Sequence, residues 1–483
     1  MTIDDILQLP VQDQIKLLQV RPDIPDYTEL EQQYDPSQHD IFDIIARPPK
    51  SVRRGTGAVD SYGNEIYETT TEGVNRIAIP FQRLIVERAV GFLLGNPVRV
   101  KSSAENAAQE QLTSMIERTL EDNKSKYFDR KLARTVMSQC EAAELWYLVE
   151  DPSFWGRTLK GSQLSHRYKL RVKLLSPSSG DTLYPYFDTT GDMVAFSRSY
   201  SVTSAEGKAT EHFDTWTDIR VISREQVNGE WVVTQTPNVM GKIPVIYYSQ
   251  KEAEWGVVQS LIERFETKQS NFADTNDYFG SPMVKVTGEV VSLPGKTTSG
   301  KVIQLTQGSD ASYMSWNSAP ESEKLEFELL EKMIYAMTQT PNISFEQMQA
   351  IGGDMSGFAI KLMFSDAHMK AENKIELFGE MFQRRLNLIQ HVCGTLINVA
   401  LEKEVPMMVA EPVFTPYLPK NTREEMEILS IARPGKALLS SQTAAEQNPL
   451  VESAPVEMER MQADADAEAE QMTRELTGSF NPS

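Results

Sequence analysis

Gly295, Lys296 and Thr297, inside the stretch VSLPGKTTSG, are the residue types that end a phosphate-binding loop, so nucleotide hydrolysis is the first chemistry to test. Such a loop needs a glycine, four residues, then Gly-Lys-Ser/Thr, because backbone N–H groups must wrap the phosphates before the lysine reaches them. The first glycine would fall at position 290, which is Val290, and the nearest one, Gly288, is seven residues before Gly295. The following residues, TTSGKVIQL, read as a turn and a strand, whereas a helix N-terminus should come next. A polar hairpin turn accounts for the segment better than a nucleotide site does.

Other chemistries fare no better. His39, His166, His212, His368 and His391 stand apart, and none forms a His-x-x-x-His pair or joins a Cys-x-x-Cys pair. The acidic run DADAEAE lacks the glycine turn and the terminal bidentate glutamate of a calcium loop, and reads as a solvated helix face. There is no Gly-x-Ser-x-Gly elbow, and Cys140 and Cys393 lie in apolar surroundings with no basic neighbours to favour a thiolate. No catalytic residue, cofactor or metal is therefore expected, and an acidic chain without a catalytic constellation points to a structural or assembly role.

The composition agrees. With 48 Lys+Arg against 68 Asp+Glu the formal net charge is −20, and the basic residues form no arm, finger or stripe for gripping phosphate backbones. Two distant cysteines suit a reducing compartment. The start, MTIDDILQLPVQDQ, carries no basic segment followed by an apolar one, so no secretory signal is expected, and no apolar run reaches the length of a membrane span.

The elements that must position any function follow from periodicity. Residues 1–74 are polar and rich in Asp, Gln and Pro and read as an arm or peripheral lobe, within which SVRRGTGAVDSYGNEIYETTTEG reads as turns and short strands. Ile85, Val86, Ala89, Val90, Leu93 and Leu94 recur at helical spacing until Gly95-Asn96-Pro97 stops them, and a strand is expected at Val98–Val100. Residues 104–140 read as helical and 168–250 as a mostly antiparallel β region. A helix from Glu254 to Tyr278 with a stripe of Val258, Leu261, Ile262, Phe265 and Phe272 precedes a small β excursion, and a second helix, Glu321 to Met337, follows it. After a Gly- and Met-rich loop, one helix is expected from Phe358 to Leu401, on the order of 65 Å long. The C-terminus returns through VPMMVAEPVFTPYLP to helices that fray into an acidic tail. The expected class is α+β.

Three segments in this order carry a resemblance. NRIAIPFQRLIVERAVGFLLGNPVRV ends in Gly95-Asn96-Pro97-Val98; TPNISFEQMQAIGGDMSGFAIKLMF carries Pro341, Asn342, Ser344, Ser356, Gly357, Ala359, Ile360 and Lys361; VFTPYLPKNTREEMEIL carries Phe414, Leu418, Pro419, Glu424 and Glu425. Together, over roughly residues 75–465, the chain resembles the portal proteins of tailed bacteriophages, in the family typified by siphophage SPP1. The polar first seventy residues and Gly352-Gly353 with Met355 depart from the pattern.

The resemblance implies a multi-domain portal fold: wing to 253, stem helix 254–279, small β-containing clip 280–318, stem helix 319–340, tunnel loop 341–356, wing spine helix and return strand 357–420, and helical crown with acidic tail 421–483. It also implies a homo-oligomeric ring, usually of twelve subunits, at one capsid vertex of the virion, assembled in the host cytoplasm, through which double-stranded DNA enters during packaging and leaves during ejection. Its partners would be the terminase large subunit, the head-tail adaptor, and the major capsid and scaffold proteins, with no membrane.

By the same analogy the tunnel loop comprises Pro341, Asn342, Ile343, Ser344, Phe345, Gln347, Met348, Gln349, Ile351, Gly352, Gly353, Met355 and Ser356. The DNA-facing basic residues would be Lys268, Lys324, Lys332 and Lys361, each of which is otherwise explained as a solvated helix-face lysine or an interface ion pair. The clip docking surface would carry Lys285, Lys296, Thr297 and Lys301. A broadly acidic ring offers duplex DNA little tight phosphate binding, which suits a conduit. Two other readings stand beside this one: a packaging NTPase subunit, suggested only by Pro294-Gly-Lys-Thr297, and a virion or scaffold protein without a channel.

Overall fold

The computed structural model describes residues 2–158, 167–204, 207–279, 283–288, 290–292, 304–308, 310–314, 320–342, 362–417, 431, 440–448, 451 and 454–478. The chain divides into two units: Met1–Thr340 with Met369–Pro416, and Pro341–His368 with Tyr417–Ser483.

In the first unit the N-terminal residues fold into helices α1 (Ile3–Leu7), α2 (Val11–Leu18) and α3 (Tyr27–Tyr34), followed by a hairpin of β1 (Lys50–Val59) and β2 (Glu65–Glu72). The turns and short strands expected over residues 51–73 are this hairpin, whereas the three helices before it were not expected from the polar composition. Their signals are local and short: a reciprocal capping box between Thr2 and Asp5, and a few apolar residues, Ile6, Ile15 and Leu18, buried against Tyr184 and Phe213 of the large sheet. Helices this brief are stable only through such packing, which polar composition does not reveal.

The helix expected after Asn75 is α4 (Phe81–Leu94), with Ile85, Val86, Ala89, Val90, Leu93 and Leu94 all buried. It hands over to β3 (Arg99–Ser102). The next helical region is two helices, α5 (Ala107–Asp122) and α6 (Ser125–Gln139). Asn106 caps α5 by accepting the Gln109 N–H at 2.9 Å, and left-handed Lys124 (φ 53°) turns the chain into α6. A second left-handed residue, Cys140 (φ 62°), ends α6 and starts β4 (Glu141–Glu150).

The β region forms two antiparallel sheets. One has three strands in the order β11 (Val245–Ser249), β4, β5 (Tyr168–Leu175), with α7 (Ser153–Thr158) between β4 and β5 in sequence. The other has five, in the order β10 (Glu230–Pro237), β9 (Arg220–Val227), β8 (Ala209–Trp216), β7 (Met193–Thr203), β6 (Thr182–Phe187). Leu183, Phe196, Trp216, Val245 and Tyr247 join the two sheets in one small core. The main core gathers α4, α5, α6, β4, Trp255 and Ile262 around a long helix.

That long helix, α10 (Ser365–Val392), follows α8 (Gln259–Phe279), α9 (Pro320–Met337) and the intervening pairs β12 (Met283–Thr287) with β15 (Asp310–Met314) and β13 (Val290–Ser292) with β14 (Gln304–Leu305). At about 1.5 Å per residue α10 is about 42 Å long; residues 358–361 of the expected helix lie outside the described residues, and its other end falls short of Leu401. A π-turn over Cys393–Ile397 and Asn398, at φ −130°, end it before Leu401. The side-chain amide of Gln390 donates to the carbonyls of Val405 and Met408, both at 2.8 Å, drawing the chain back toward β16 (Ala410–Val413), which pairs with β3. In the second unit α11 (Ser441–Gln447) and α12 (Ala454–Gly478) supply the expected helical C-terminus.

Candidate functional site

Two helices flanking a β excursion, read from the stripe of apolar residues, are present as α8 and α9. They meet through aromatic edges: the Phe327 ring lies 5.4 Å from Phe265 and 6.0 Å from Phe272. Val258, Ile262 and Ile334 are fully buried beneath them. Leu325 and Leu329, one turn apart on α9, are instead exposed, at 66% and 54%. Their place in the same apolar series as Ile334 hides this division, because the helix buries one face only.

A charge cluster crosses the pair. Glu326 of α9 accepts from Arg264 Nη2 and from Lys268 Nζ of α8, both at 2.9 Å, and these bonds hold its carboxyl below the usual carboxylate range. Lys268, expected to face DNA, is thus engaged with its own chain. Lys324 lies 3.6 Å from Glu328 on the exposed face of α9, and Lys332 is exposed on the same helix. Lys361 lies outside the described residues. Lys285 is exposed on β12, opposite Ser312. Lys296, Thr297 and Lys301 lie outside the described residues, and so does the tunnel loop apart from Pro341 and Asn342.

The side of α8 away from α9 carries contacts that sequence reasoning missed. Glu266, Ser270, Asp274 and Asp277 recur at near-helical spacing and bind the N-terminal segment. Ile79 N–H donates to Glu266 at 2.7 Å, Ile77 N–H to Ser270 at 3.0 Å, Asn75 N–H to Asp274 at 2.7 Å, and the Asn75 amide to Asp277 at 2.6 Å. Arg47 reaches Asp274 at 2.8 Å and Lys50 reaches it at 3.1 Å. His39 places Nδ1 at 2.7 Å from Glu266 and Nε2 at 2.9 Å from the Gln33 carbonyl. Both partners are acceptors, so the pair of bonds requires the imidazolium. Burial works against that charge, but the bonds and fields of Glu266, Gln33 and Asp35 outweigh it and raise the His39 pKa. A spacing of four along α8 was the one available signal.

Two further buried charge groups anchor α10. Glu254 holds Lys370 at 2.9 Å and also pairs with Lys374; burial alone would raise its pKa, but the two ammonium groups bring it down. Arg385 bonds Asp129 at 2.7 Å and grips Glu144 through Nε at 2.9 Å. Tyr248 Oη and Trp146 Nε1 also donate to Glu144, at 2.6 and 2.9 Å. Burial dominates at Asp129 and pushes its pKa up to about 6 despite Arg385.

Among the described residues no group of three or more His, Cys, Asp or Glu side chains could hold a metal ion, and no helix is long and apolar enough to cross a membrane. Cys140 and Cys393 are free and buried, and burial pushes both thiols up to about 12. The arrangement is that of braced helices and ion pairs.

No curated protein matches this chain. Solved structures titled "Neck of native GTA particle computed with C12 symmetry" and "Neck of empty GTA particle computed with C6 symmetry" contain chains 10% identical to it. The first aligns over 77% of this chain and 88% of its own with a TM-score of 0.40. The second aligns over 76% and 88% with a TM-score of 0.38. A chain from "Virion of native gene transfer agent (GTA) particle" gives 10% identity, 76% and 88% coverage, and a TM-score of 0.35. Scores this low carry no weight, and the assignment rests on sequence. The family model described as "Phage portal protein, SPP1 Gp6-like" matches residues 21–471. With nearly its whole length accounted for by that one structural family, the chain belongs to the SPP1 Gp6-like phage portal proteins.

Proposed function

We propose that this portal protein assembles as a ring of identical subunits, about twelve, at one capsid vertex and forms the channel through which double-stranded DNA enters and leaves. The observation that carries the reading is the family match over residues 21–471, which takes in α8, α9 and the segment between them. In this reading residues 75–253 are the wing, α8 and α9 the stem, 280–318 the clip, 341–356 the tunnel loop, α10 the spine of the wing, and 421–483 the crown. The clip, with Lys285, Lys296, Thr297 and Lys301, would meet the terminase large subunit during filling and the head-tail adaptor afterwards. The major capsid and scaffold proteins would surround the wing, in the host cytoplasm during assembly and then in the virion.

The electrostatics support a conduit. The chain carries −20 overall, and the stem cation Lys268 is paired with Glu326. Such a surface gives a polyanion few uncompensated contacts, so DNA would slide without being held. Purified protein is expected to give a ring with a central hole in negative stain and a matching mass by light scattering. A stable monomer at micromolar concentration, in assembly-promoting buffers as well, overturns the reading. ATP turnover lost on Lys296→Ala would instead favour a motor subunit.

A further inference from the structure

The β1–β2 hairpin stands out because it is folded but, among the described residues, has little of its own unit against it. Of its strand residues only Val52, Thr70 and Glu72 are even partly buried. Its tip is well formed: Asp60 accepts from the N–H groups of Tyr62 and Asn64, both at 2.8 Å, and Gly63 takes a left-handed φ of 82°. Its base is tied to α8 through Lys50 and Asp274 at 3.1 Å. Among the described residues no third strand pairs with either edge. A lone two-stranded sheet is marginal in water, and open edges are usually blunted by proline or by inward charges. β1 is irregular, with a register shift between Gly55 and Val59, but β2 pairs in register from Tyr67 to Glu72, runs through three consecutive β-branched residues, Thr69–Thr71, and contains no proline.

The charges on the two strands are sorted. β1 carries Lys50, Arg53 and Arg54 and no acid, whereas β2 carries Glu65, Glu68 and Glu72 and no base. Arg54 pairs with Glu72 inside the hairpin and Arg53 lies 4.4 Å over the Tyr67 ring, yet the strands remain sorted by sign, so one edge strand is basic and the other acidic. A two-fold contact would set β1 against β1 or β2 against β2, with like charges opposed. A head-to-tail contact sets the acidic edge of one hairpin against the basic edge of the next, and this kind of contact closes into rings. With all hairpins pointing the same way about an axis, that junction is also antiparallel, as within the hairpin.

We propose that the hairpin 50–72 is a subunit-joining arm whose β2 edge pairs with the β1 edge of the neighbouring copy, making a continuous belt of strands around the assembly. The inference rests on the ring reading above, and its occupant is a second copy of this chain.

Two full-length variants test it: Arg53→Glu with Arg54→Glu, which makes β1 acidic, and Glu65→Lys with Glu68→Lys, which makes β2 basic. Each alone opposes like charges at every junction, and the concentration for half-assembly should rise about tenfold or more. An equimolar mixture can alternate the two chains and restore opposite charges at every junction, so rings should return near the wild-type concentration and contain both. Variants that assemble like the wild type, or a mixture that assembles no better than either alone, overturn the arm; in the latter case the charges act only within the hairpin. Replacing 51–71 with a short Gly-Ser turn gives a second measure: rings that persist undiminished also overturn it and leave the hairpin to another virion protein. Wild-type protein that never forms rings defeats the ring reading itself, and the arm falls with it.

Discussion

Arg385 shows how a single residue can hold a large mixed fold in register. Its guanidinium is 3% exposed, sits 3.9 Å above the Phe382 ring, and bonds carboxylates from α6 and β4, so α10 cannot shift without breaking the group. Isolated charges would be intolerable at this depth, and the site is stable only because each is answered by another. Arg385→Met should cost about 3–5 kcal/mol, because Glu144 and Asp129 are left without their cation. Urea unfolding of the variant checks this, and a midpoint unchanged from the wild type would count against a structural role. The arginine was visible in sequence only as one polar position on a helix. What it faces, 241 residues upstream at Glu144, was not legible, since nothing local marks a partner so far away.

At the scale of elements, α8 works on two sides. One side packs and pairs with α9 through Phe265, Arg264 and Lys268, and the other receives the N-terminal segment through Glu266, Ser270, Asp274 and Asp277. The His39 contact makes the second side responsive to pH. Its folded pKa is raised above the ordinary 6.5, so the stabilisation is fully present below that value and is lost as pH rises through the folded pKa. Hydrogen exchange at the Ile77 and Ile79 amides should therefore accelerate with pH beyond its intrinsic trend in the wild type. His39→Gln, which lacks the titrating charge, should show only the intrinsic trend. The apolar half of α8 was readable from its 3.6-residue stripe, and so was α4. Nothing in the sequence separates its polar half from an ordinary solvated face, because acidic residues look alike in sequence whether water or a backbone N–H satisfies them.

At the scale of the molecule, the proposed DNA channel would call for a segment able to adapt to a moving polyanion. The proposed tunnel loop, with Gln347, Met348, Gly352, Gly353 and Met355, has the adaptable side chains and permissive backbone for that work. Deleting Gln347–Gly353 should leave ring assembly intact and impair DNA packaging or retention. Particles with full-length packaged DNA and normal infectivity from the deletion would remove the loop from the mechanism.

By itself the sequence marked the main apolar helices and β regions and, through three motifs in order, the family. Apolar periodicity reports which face of each local segment avoids water, and a family match needs only residue types in their order along the chain. Tertiary structure alone decided which charges are spent inside the subunit: Lys268 on Glu326, His39 on Glu266, and Arg385 on Asp129 and Glu144. It also decided that, among the described residues, no third strand pairs with either edge of the hairpin over Lys50–Glu72. The reason is one of range. Hydrophobic faces are written into neighbouring residues, whereas an ion pair or an unpaired strand edge exists only once distant segments have been brought together or held apart.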